Sequence, residues 1–504
     1  MEKYGAERHR VLELLKAAGG VNATNVRRVA SLTGVPEADV WGAGRFYELL
    51  SHPNVDRRVC QGLSCILEGA EHIPGEKVSC LGQCDRAPVV IGPELGIVEA
   101  APRGGITPDD PSLPMNLGGA DRTDYAALLW SRERGPDAVI AELEAAALQG
   151  RGGAGFPAAL KWKSVRNNPP GERYLVLNAD EGEPGTFKDR EIMLRRPHLL
   201  VEGLAIAAET VGAETLFLYV RGEFPEERAS VERAIAEAQA FVGHLDWRFI
   251  DGHGAYICGE ETALIESIEG RRGMPRHKPP YPTQSGLWGK PTLMNNVETL
   301  ACVPDILLRG GERFRRLGRT EAGSKLYCIS GHVKTPGVYE LPLGICLDEL
   351  VEAAGGYVGQ PKAFSPGGAS SGFLPMAHRG APLDFKGLQK LGSMLGSAGV
   401  VVLNDTVDMA QASFWQAVFF EDESCGQCAP CRLGTQVVRQ SVSRYLKDGD
   451  PSIFSPFEDV AWEMAEGSIC GLGMVAAEPL RTALRYFPDD FGRRSDGPEH
   501  GESA

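Results

Sequence analysis

The chain has 504 residues, 43% hydrophobic and 24% charged, with 52 Lys and Arg against 67 Asp and Glu and a formal net charge of -15. That length calls for three or four domains rather than one core, and the acidic balance argues against nucleic acid or an anionic membrane as a partner of the general field. No apolar run reaches the ~18 residues of a membrane span, residues 1–16 lack the apolar core and cleavage site of a signal peptide, and twelve cysteines in so long a chain suggest metal ligands in a reducing compartment, the cytosol, rather than a disulfide scaffold.

Residues 1–50 predict short helices: VLELLKAAG spaces its apolar residues at the helical period, and Pro36 stands where a helix begins. From 51 to 105, short β-like runs such as Val89-Val90-Ile91 alternate with Cys and Gly turns. Residues 106–123 are rich in Pro, Gly and Asp, a linker composition. From 124 to 320, helix-like and strand-like segments alternate: helices over 136–149, 197–211 and 226–242, strands over 174–178 and 216–220. This is an α/β layer pattern. Residues 321–400 predict a compact α+β unit with one helix over 347–354, helical periodicity returns over 401–490, and 491–504 has the polar composition of a disordered tail. The expected fold class is α/β and multidomain.

The most informative stretch is Glu423-Ser424-Cys425-Gly426-Gln427-Cys428-Ala429-Pro430-Cys431-Arg432. A C-x2-C-x2-C run offers three thiolates from one tight loop, enough to cap a face of an iron–sulfur cube, and the fourth must come from elsewhere. Cys470, in a Gly-rich turn, is the natural fourth. A zinc knuckle or a buried thiol set is the competing reading, although zinc sites favour paired C-x2-C units. Cys258, Cys302, Cys328 and Cys346 are isolated, and most of them read as small buried residues. The ten histidines show no ligand spacing.

Gly150-Arg151-Gly152-Gly153-Ala154-Gly155 matches G-x-G-x-x-G in form. A dinucleotide fingerprint needs a strand before it, and here a helix precedes, so the ordinary Rossmann reading fails. Small residues still let backbone N–H groups approach a phosphate, with Lys161 as a nearby cation and Phe156 to stack on a flat ring. A glycine-rich helix–loop junction would read the same way. The strand ending in Asn178-Ala179-Asp180-Glu181-Gly182-Glu183-Pro184 crowds carboxylates at a strand's C-terminal end, where α/β folds place ligands; a solvated acidic loop is the plainer alternative. Tyr219-Val220-Arg221-Gly222-Glu223-Phe224 ends another strand with an acid and two aromatics.

Taken together, GRGGAGFP at 150–157, the NADE and EPG run at 178–185, YVRGEF at 219–224, GAYICGEETAL at 254–264, KPPYP through NNVETL at 278–300 and ESCGQCAPCRLG at 423–434 resemble the family of 51-kDa flavin- and NADH-binding subunits of respiratory complex I over about 124 to 487. The resemblance implies an FMN held by Gly150, Arg151, Gly152, Gly153, Lys161, Asn178, Asp180, Glu181, Gly222, Asn295 and Asn296. It places NADH against the flavin, with Phe156, Glu183, Tyr219 and Glu223 shaping the pocket. Glu183 and Lys161 are the catalytic candidates, and Glu223 faces the adenosine ribose and selects NAD(H) over NADP(H). It also implies a 4Fe–4S cluster on Cys425, Cys428, Cys431 and Cys470, a ubiquitin-like β-grasp (SLBB-like) insert over 321–400 and a helical cluster domain over 401–490. In the sequence, Lys163 and Ser164 follow Trp162 where the family shows an aromatic.

A second resemblance lies at the N-terminus. Cys60-x4-Cys65 and Cys80-x3-Cys84, followed by Asp85-Arg86-Ala87-Pro88, look like the thioredoxin-like 2Fe–2S domain of the 24-kDa complex I protein, over 51–105 and preceded by a helical segment. Such a fusion is typical of soluble NAD-linked complexes. The stretches 366–375, 383–385 and 419–423 most resemble the β subunit of molybdenum- or tungsten-dependent NAD formate dehydrogenases, with the diaphorase subunit of NAD-reducing nickel–iron hydrogenases and a complex I-type NADH dehydrogenase as alternatives. The partner implied is a large molybdopterin-type iron–sulfur subunit, and a small additional 2Fe–2S subunit is a candidate companion. NADH exchanges a hydride and clusters exchange single electrons, so a flavin belongs between them. A non-catalytic iron–sulfur scaffold is the reading from another class.

Overall fold

The computed structural model describes residues 7–492. Most of the expected tail at 491–504 therefore lies outside the described residues. Among those described, no helix is long and apolar enough to cross a membrane.

The central domain is built on four parallel strands in the spatial order Asp246–Asp251, Thr215–Val220, Tyr174–Ala179, Thr292–Asn296. The first three run outward in reverse chain order and the fourth pairs on the opposite side. The order therefore reverses between Tyr174–Ala179 and Thr292–Asn296, which makes that crevice the topological switch point of the sheet. Side-chain alternation along the strands divides their residues between two cores. Leu175, Leu177, Leu216 and Leu218 pack with the helix Pro197–Val211, whereas Tyr174, Val176, Phe217 and Tyr219 pack with Val11, Leu15, Val26 and Val40 of the N-terminal helices.

The N-terminal segment is thus the cover of one sheet face. It forms the helices Val11–Ala17, Ala23–Thr33 and Glu37–Gly44. Asn22 caps the second by accepting from Asn25 N at 2.9 Å, and Gly34 ends it at φ 69°. The next unit is a small sheet ordered Glu76–Val78, Arg58–Cys60, Val90–Ile91, Ile97–Glu99, with a parallel first pair and antiparallel pairs after it.

The stretch 106–123, with its linker composition, is built into the fold. Gly105–Ile106 adds a parallel edge strand to the sheet of the 321–400 unit beside Gly337–Pro342, and buried Glu340 accepts from Met115 N at 3.1 Å and Asn116 N at 2.9 Å. Composition shows how costly it is to order a segment, not which distant carboxylate is waiting to order it. That sheet runs Leu374–Pro375, Pro361–Ser365, Gly399–Asn404, Ser324–Gly331, Gly337–Pro342, Gly105–Ile106. The helix Leu347–Ala353 packs on it through Leu347, Leu350 and Val351. The C-terminal region is helical: Met409–Asp422, Ala429–Asp448, Phe457–Gly467, Gly471–Val475 and Glu478–Tyr486.

Candidate active site

A cavity of about 680 Å³ opens at the switch point. Its floor comes from the ends of the two strands that flank the reversal, Asn178 on one side and Asn295 and Asn296 on the other. The glycine loop closes one wall. Gly150 N donates to Phe156 O at 2.8 Å, pinching the loop into a closed turn. Gly153 sits at φ 137°, a conformation that favours glycine, and a Cβ at Gly152 would stand 3.0 Å from Asn296 Cβ, a tight approach. Phe156, 54% exposed, stands at the mouth.

The polar groups of this wall are fixed. Trp162 Nε1 donates to Asn295 Oδ1 at 2.9 Å, and Asn296 Nδ2 donates to Asp189 at 2.6 Å. Asn178 Nδ2 donates to Gly259 O at 2.8 Å. Lys161 lies 2.9 Å from Glu261, and Lys278 lies 2.8 Å from Glu260 and 2.9 Å from Glu261. Burial raises the Glu261 carboxyl, but the two ammonium groups outweigh it and hold the acid at about 2. Glu260, Glu261, Lys278 and Tyr281 line the cavity, and sequence reasoning assigns none of them a role. They lie inside GAYICGEETAL and KPPYP, so the signal is present as pattern but not residue by residue.

Other expected site residues are placed differently. The Arg151 side chain is fully buried and donates to Ala322 O at 3.1 Å and Ser324 O at 3.0 Å, bracing the junction to the β-grasp sheet. Glu181 accepts from Asp189 N at 2.9 Å and Arg190 N at 3.1 Å, at the start of the helix Lys188–Arg195; burial pushes it up to about 8. Glu183 accepts from Ser370 N at 2.9 Å and from the Tyr256 hydroxyl. Tyr219 is buried, its hydroxyl 3.0 Å from Ser267 Oγ. A Cβ at Gly222 would strike Gly252 O at 2.3 Å. Glu223, expected at the ribose, lies with Asp180 in a small, nearly closed void shared with Glu48, Glu423, Arg58 and Arg221. It pairs with Arg221 at 3.2 Å. Burial pushes Asp180 up to about 8 and Glu48 to about 7. The alternating strand sends Tyr219, like Phe217, toward the covered face, a direction the position of an acid after a strand does not reveal.

Both cysteine sets converge. Cys428 precedes the helix Ala429–Asp448, Cys431 sits in its first turn, and Cys470 precedes the helix Gly471–Val475. Gly426 turns the loop at φ 72°, and Arg432 Nη1 holds its carbonyl at 2.6 Å. A Cβ at Gly473 would stand 2.8 Å from Cys431 Cβ, so the two ligand-bearing helices meet at a glycine. Burial, reinforced by the other cysteines of the set, pushes Cys431 up to about 12 and Cys470 to about 11; metal binding must therefore displace protons. Among the described residues, no three His, Cys, Asp or Glu donors are placed to hold a single metal ion. A C-x2-C-x2-C run with one distant cysteine fits a multi-iron cluster better than one zinc. Gly471, next to Cys470, is itself part of the cavity wall.

Cys60, Cys65, Cys80 and Cys84 are all buried. The Sγ atoms of Cys80 and Cys84 are 3.5 Å apart, and Cys60 Sγ accepts from Gly62 N and Leu81 N, each at 3.4 Å. Backbone N–H groups aimed at sulfur suit a thiolate that carries charge into a cluster.

Residues 143–305 match the Nuo51 FMN-binding domain, 326–374 the SLBB domain, and 412–494 the NADH-ubiquinone oxidoreductase-F iron–sulfur binding region. The chain is 45% identical over 375 residues to the second F subunit of NADH-quinone oxidoreductase in Rhizobium meliloti (strain 1021), covering 71% of this chain and 88% of that protein. It is 43% identical over 380 residues to the F subunit of NADH-quinone oxidoreductase in Aquifex aeolicus (strain VF5), covering 73% and 88%. A chain of the NAD+-reducing [NiFe]-hydrogenase, solved in the H2-reduced state, superposes with a TM-score of 0.89 at 29% identity, over 98% of this chain and 94% of that one. The α/β multidomain expectation agrees with this likeness.

Proposed function

The chain belongs to the family of FMN- and iron–sulfur-containing F subunits of NADH-quinone oxidoreductase, and from that premise we propose that its switch-point cavity is where NAD(H) and FMN exchange a hydride. One observation carries the reading: the cavity that the glycine loop and the two strand ends enclose is bounded on another side by Gly471, beside Cys470. Hydride chemistry and a one-electron outlet thus share a wall. A flavin bound there supplies the conversion between two-electron and one-electron transfer.

The chain's own residues bind and orient. The closed loop at Gly150–Phe156 and Lys161 meet the phosphate, with Asn178, Asn295 and Asn296 held in fixed amide orientations along the flavin. Phe156 at the mouth stacks a ring of the dinucleotide, and the Glu260–Glu261 pair with Lys278 meets its ribose and pyrophosphate. No side-chain acid or base is needed for hydride transfer, in keeping with the structural pairings of Glu183. Cys425, Cys428, Cys431 and Cys470 hold the 4Fe–4S cluster, and Cys60, Cys65, Cys80 and Cys84 a 2Fe–2S cluster in a thioredoxin-like domain. NADH-dependent ferricyanide reduction by the purified protein tests the hydride step; a scaffold gives no turnover.

The electron partner we favour is a formate-oxidising molybdenum or tungsten subunit, on the resemblance of 366–375 and 419–423. Ser370 of that stretch donates to Glu183, in the loop that follows the strand Tyr174–Ala179. The hydrogenase reading has its own support in the superposition over 98% of the chain. Co-purification decides: a large pterin subunit supports formate, a nickel–iron pair supports hydrogen. We place the protein in the cytosol, in a multisubunit complex.

A further inference from the structure

Arg221 stands where three parts of the chain meet. It follows the central strand Thr215–Val220 and is 8% exposed. Its Nη1 donates to Glu181 O at 2.8 Å, in the loop after the strand Tyr174–Ala179. Its Nη2 donates to the carbonyl of Cys80 and lies 3.2 Å from Glu223 Oε1. One guanidinium therefore bridges the N-terminal cysteine loop and the flavin-side loop. Phe224 closes the same contact, since a Cβ at Gly82 would come within 2.8 Å of its ring.

The charges around it are unbalanced. Glu48, Asp180, Glu223 and Glu423 share the small void with only Arg58 and Arg221. Glu223 Oε2 and Asp180 Oδ2 have no hydrogen-bond partner among the described residues. Arg190 also reaches the cysteine loop, at Gly82 O and the Asp85 carboxylate, 3.2 and 3.0 Å away. Its charge, however, is met by Asp85 and Glu191. Arg190 holds the loop; Arg221 holds it too, from a void in which carboxylates outnumber guanidiniums.

We infer that Arg221 is a positioning residue that ties the N-terminal cluster loop to the flavin-side loop and, with Glu223 opposing it, sets the reduction potential of that cluster. The inference rests on reading Cys60, Cys65, Cys80 and Cys84 as 2Fe–2S ligands. Reduction adds one electron and breaks no bond, so the reduced cluster carries one more negative charge. A buried guanidinium at a ligand residue stabilises that charge strongly because little water screens it. A carboxylate with an unpaired oxygen in the same void opposes it. The two halves of one ion pair therefore act with opposite sign.

The test is an anaerobic potentiometric titration of the 2Fe–2S signal by electron paramagnetic resonance, on the full chain in its complex. Arg221→Met should shift the reduction equilibrium about tenfold or more toward the oxidised cluster, roughly 59 mV for a one-electron couple. Arg221→Lys should recover most of that shift, and Glu223→Gln should move the midpoint the other way. Equal midpoints in all four proteins, or shifts of one sign in Arg221→Met and Glu223→Gln, would overturn the role of Arg221. If Arg221→Met assembles no cluster, Glu223→Gln decides, and a midpoint at or below wild type overturns the inference. A wild type without any 2Fe–2S signal defeats the ligand reading itself, and with it this inference.

Discussion

Lys161 Nζ lies 2.9 Å from Glu261 Oε2 on the cavity wall, and Lys278 reaches the same carboxylate at 2.9 Å. On the function proposed above, the acid that meets the dinucleotide is Glu261 on this wall. Removing its charge as Glu261→Gln should relieve repulsion of a 2′-phosphate and raise the NADPH-to-NADH ratio of kcat/KM about tenfold, the size of one partly screened charge contact. Glu223→Ala should leave that ratio where it is. A larger change in the ratio for Glu223→Ala than for Glu261→Gln would return Glu223 to the pocket.

The same pair has a pH signature. Glu261 is held at about 2 against an ordinary 4.5. A lowered carboxyl contributes stability that is present above its ordinary value and lost as pH falls through the folded one. The gap in melting temperature between wild type and Glu261→Gln should narrow as pH drops from about 5 to 2.5. Melting curves of both proteins across that window check it; a constant gap contradicts the pairing.

Gly153 at φ 137° is conformationally strained for any side chain. Gly153→Ala should cost about 1–3 kcal/mol locally and release flavin on gel filtration, with both iron–sulfur signals retained. Full flavin retention would place the phosphate elsewhere.

Cys428→Ala should remove about four irons per chain and leave FMN bound. Iron and flavin assays on anaerobically purified protein measure both; stoichiometric zinc in the wild type would contradict the cluster.

Arg190 is 2% exposed and holds Asp85 at 3.0 Å across the domain boundary. Arg190→Ala leaves buried Asp85 without its cation, a loss of about 3–5 kcal/mol, whereas Glu191 keeps Arg195 at 2.6 Å. Hydrogen exchange over residues 80–86 should accelerate before the central sheet does. Equal protection in the two proteins would make the contact incidental.

Local chemistry is legible in the sequence wherever spacing carries it. The triple cysteine run, the glycine loop with a helix before it, and the buried strand Tyr174–Ala179 all read directly from period and residue type. What does not read is direction across domains. Nothing around Gly105–Ile106 announces a strand whose partner lies more than two hundred residues on, at Gly337. Arg151, beside the glycines, is one of the residues the resemblance implies for FMN, and no local pattern shows that its side chain donates to the Ala322 and Ser324 carbonyls. Glu223 is an acid after a strand, as Asp180 is, and only the folded chain shows that Glu48, Arg58 and Arg221 gather around both. Glu260 and Glu261 sit in a recognisable pattern, yet their roles depend on Lys161 and Lys278, which three separate segments bring together.

The central claim is that one cavity joins hydride exchange to a one-electron outlet beside Cys470. An anaerobic titration of the flavin-loaded protein with NADH, followed by flavin absorbance and by electron paramagnetic resonance, tests it most directly. The account predicts that flavin bleaching is accompanied by the 4Fe–4S signal, and that Cys470→Ser keeps the bleaching and loses the signal. Bound flavin that NADH fails to bleach would contradict the account.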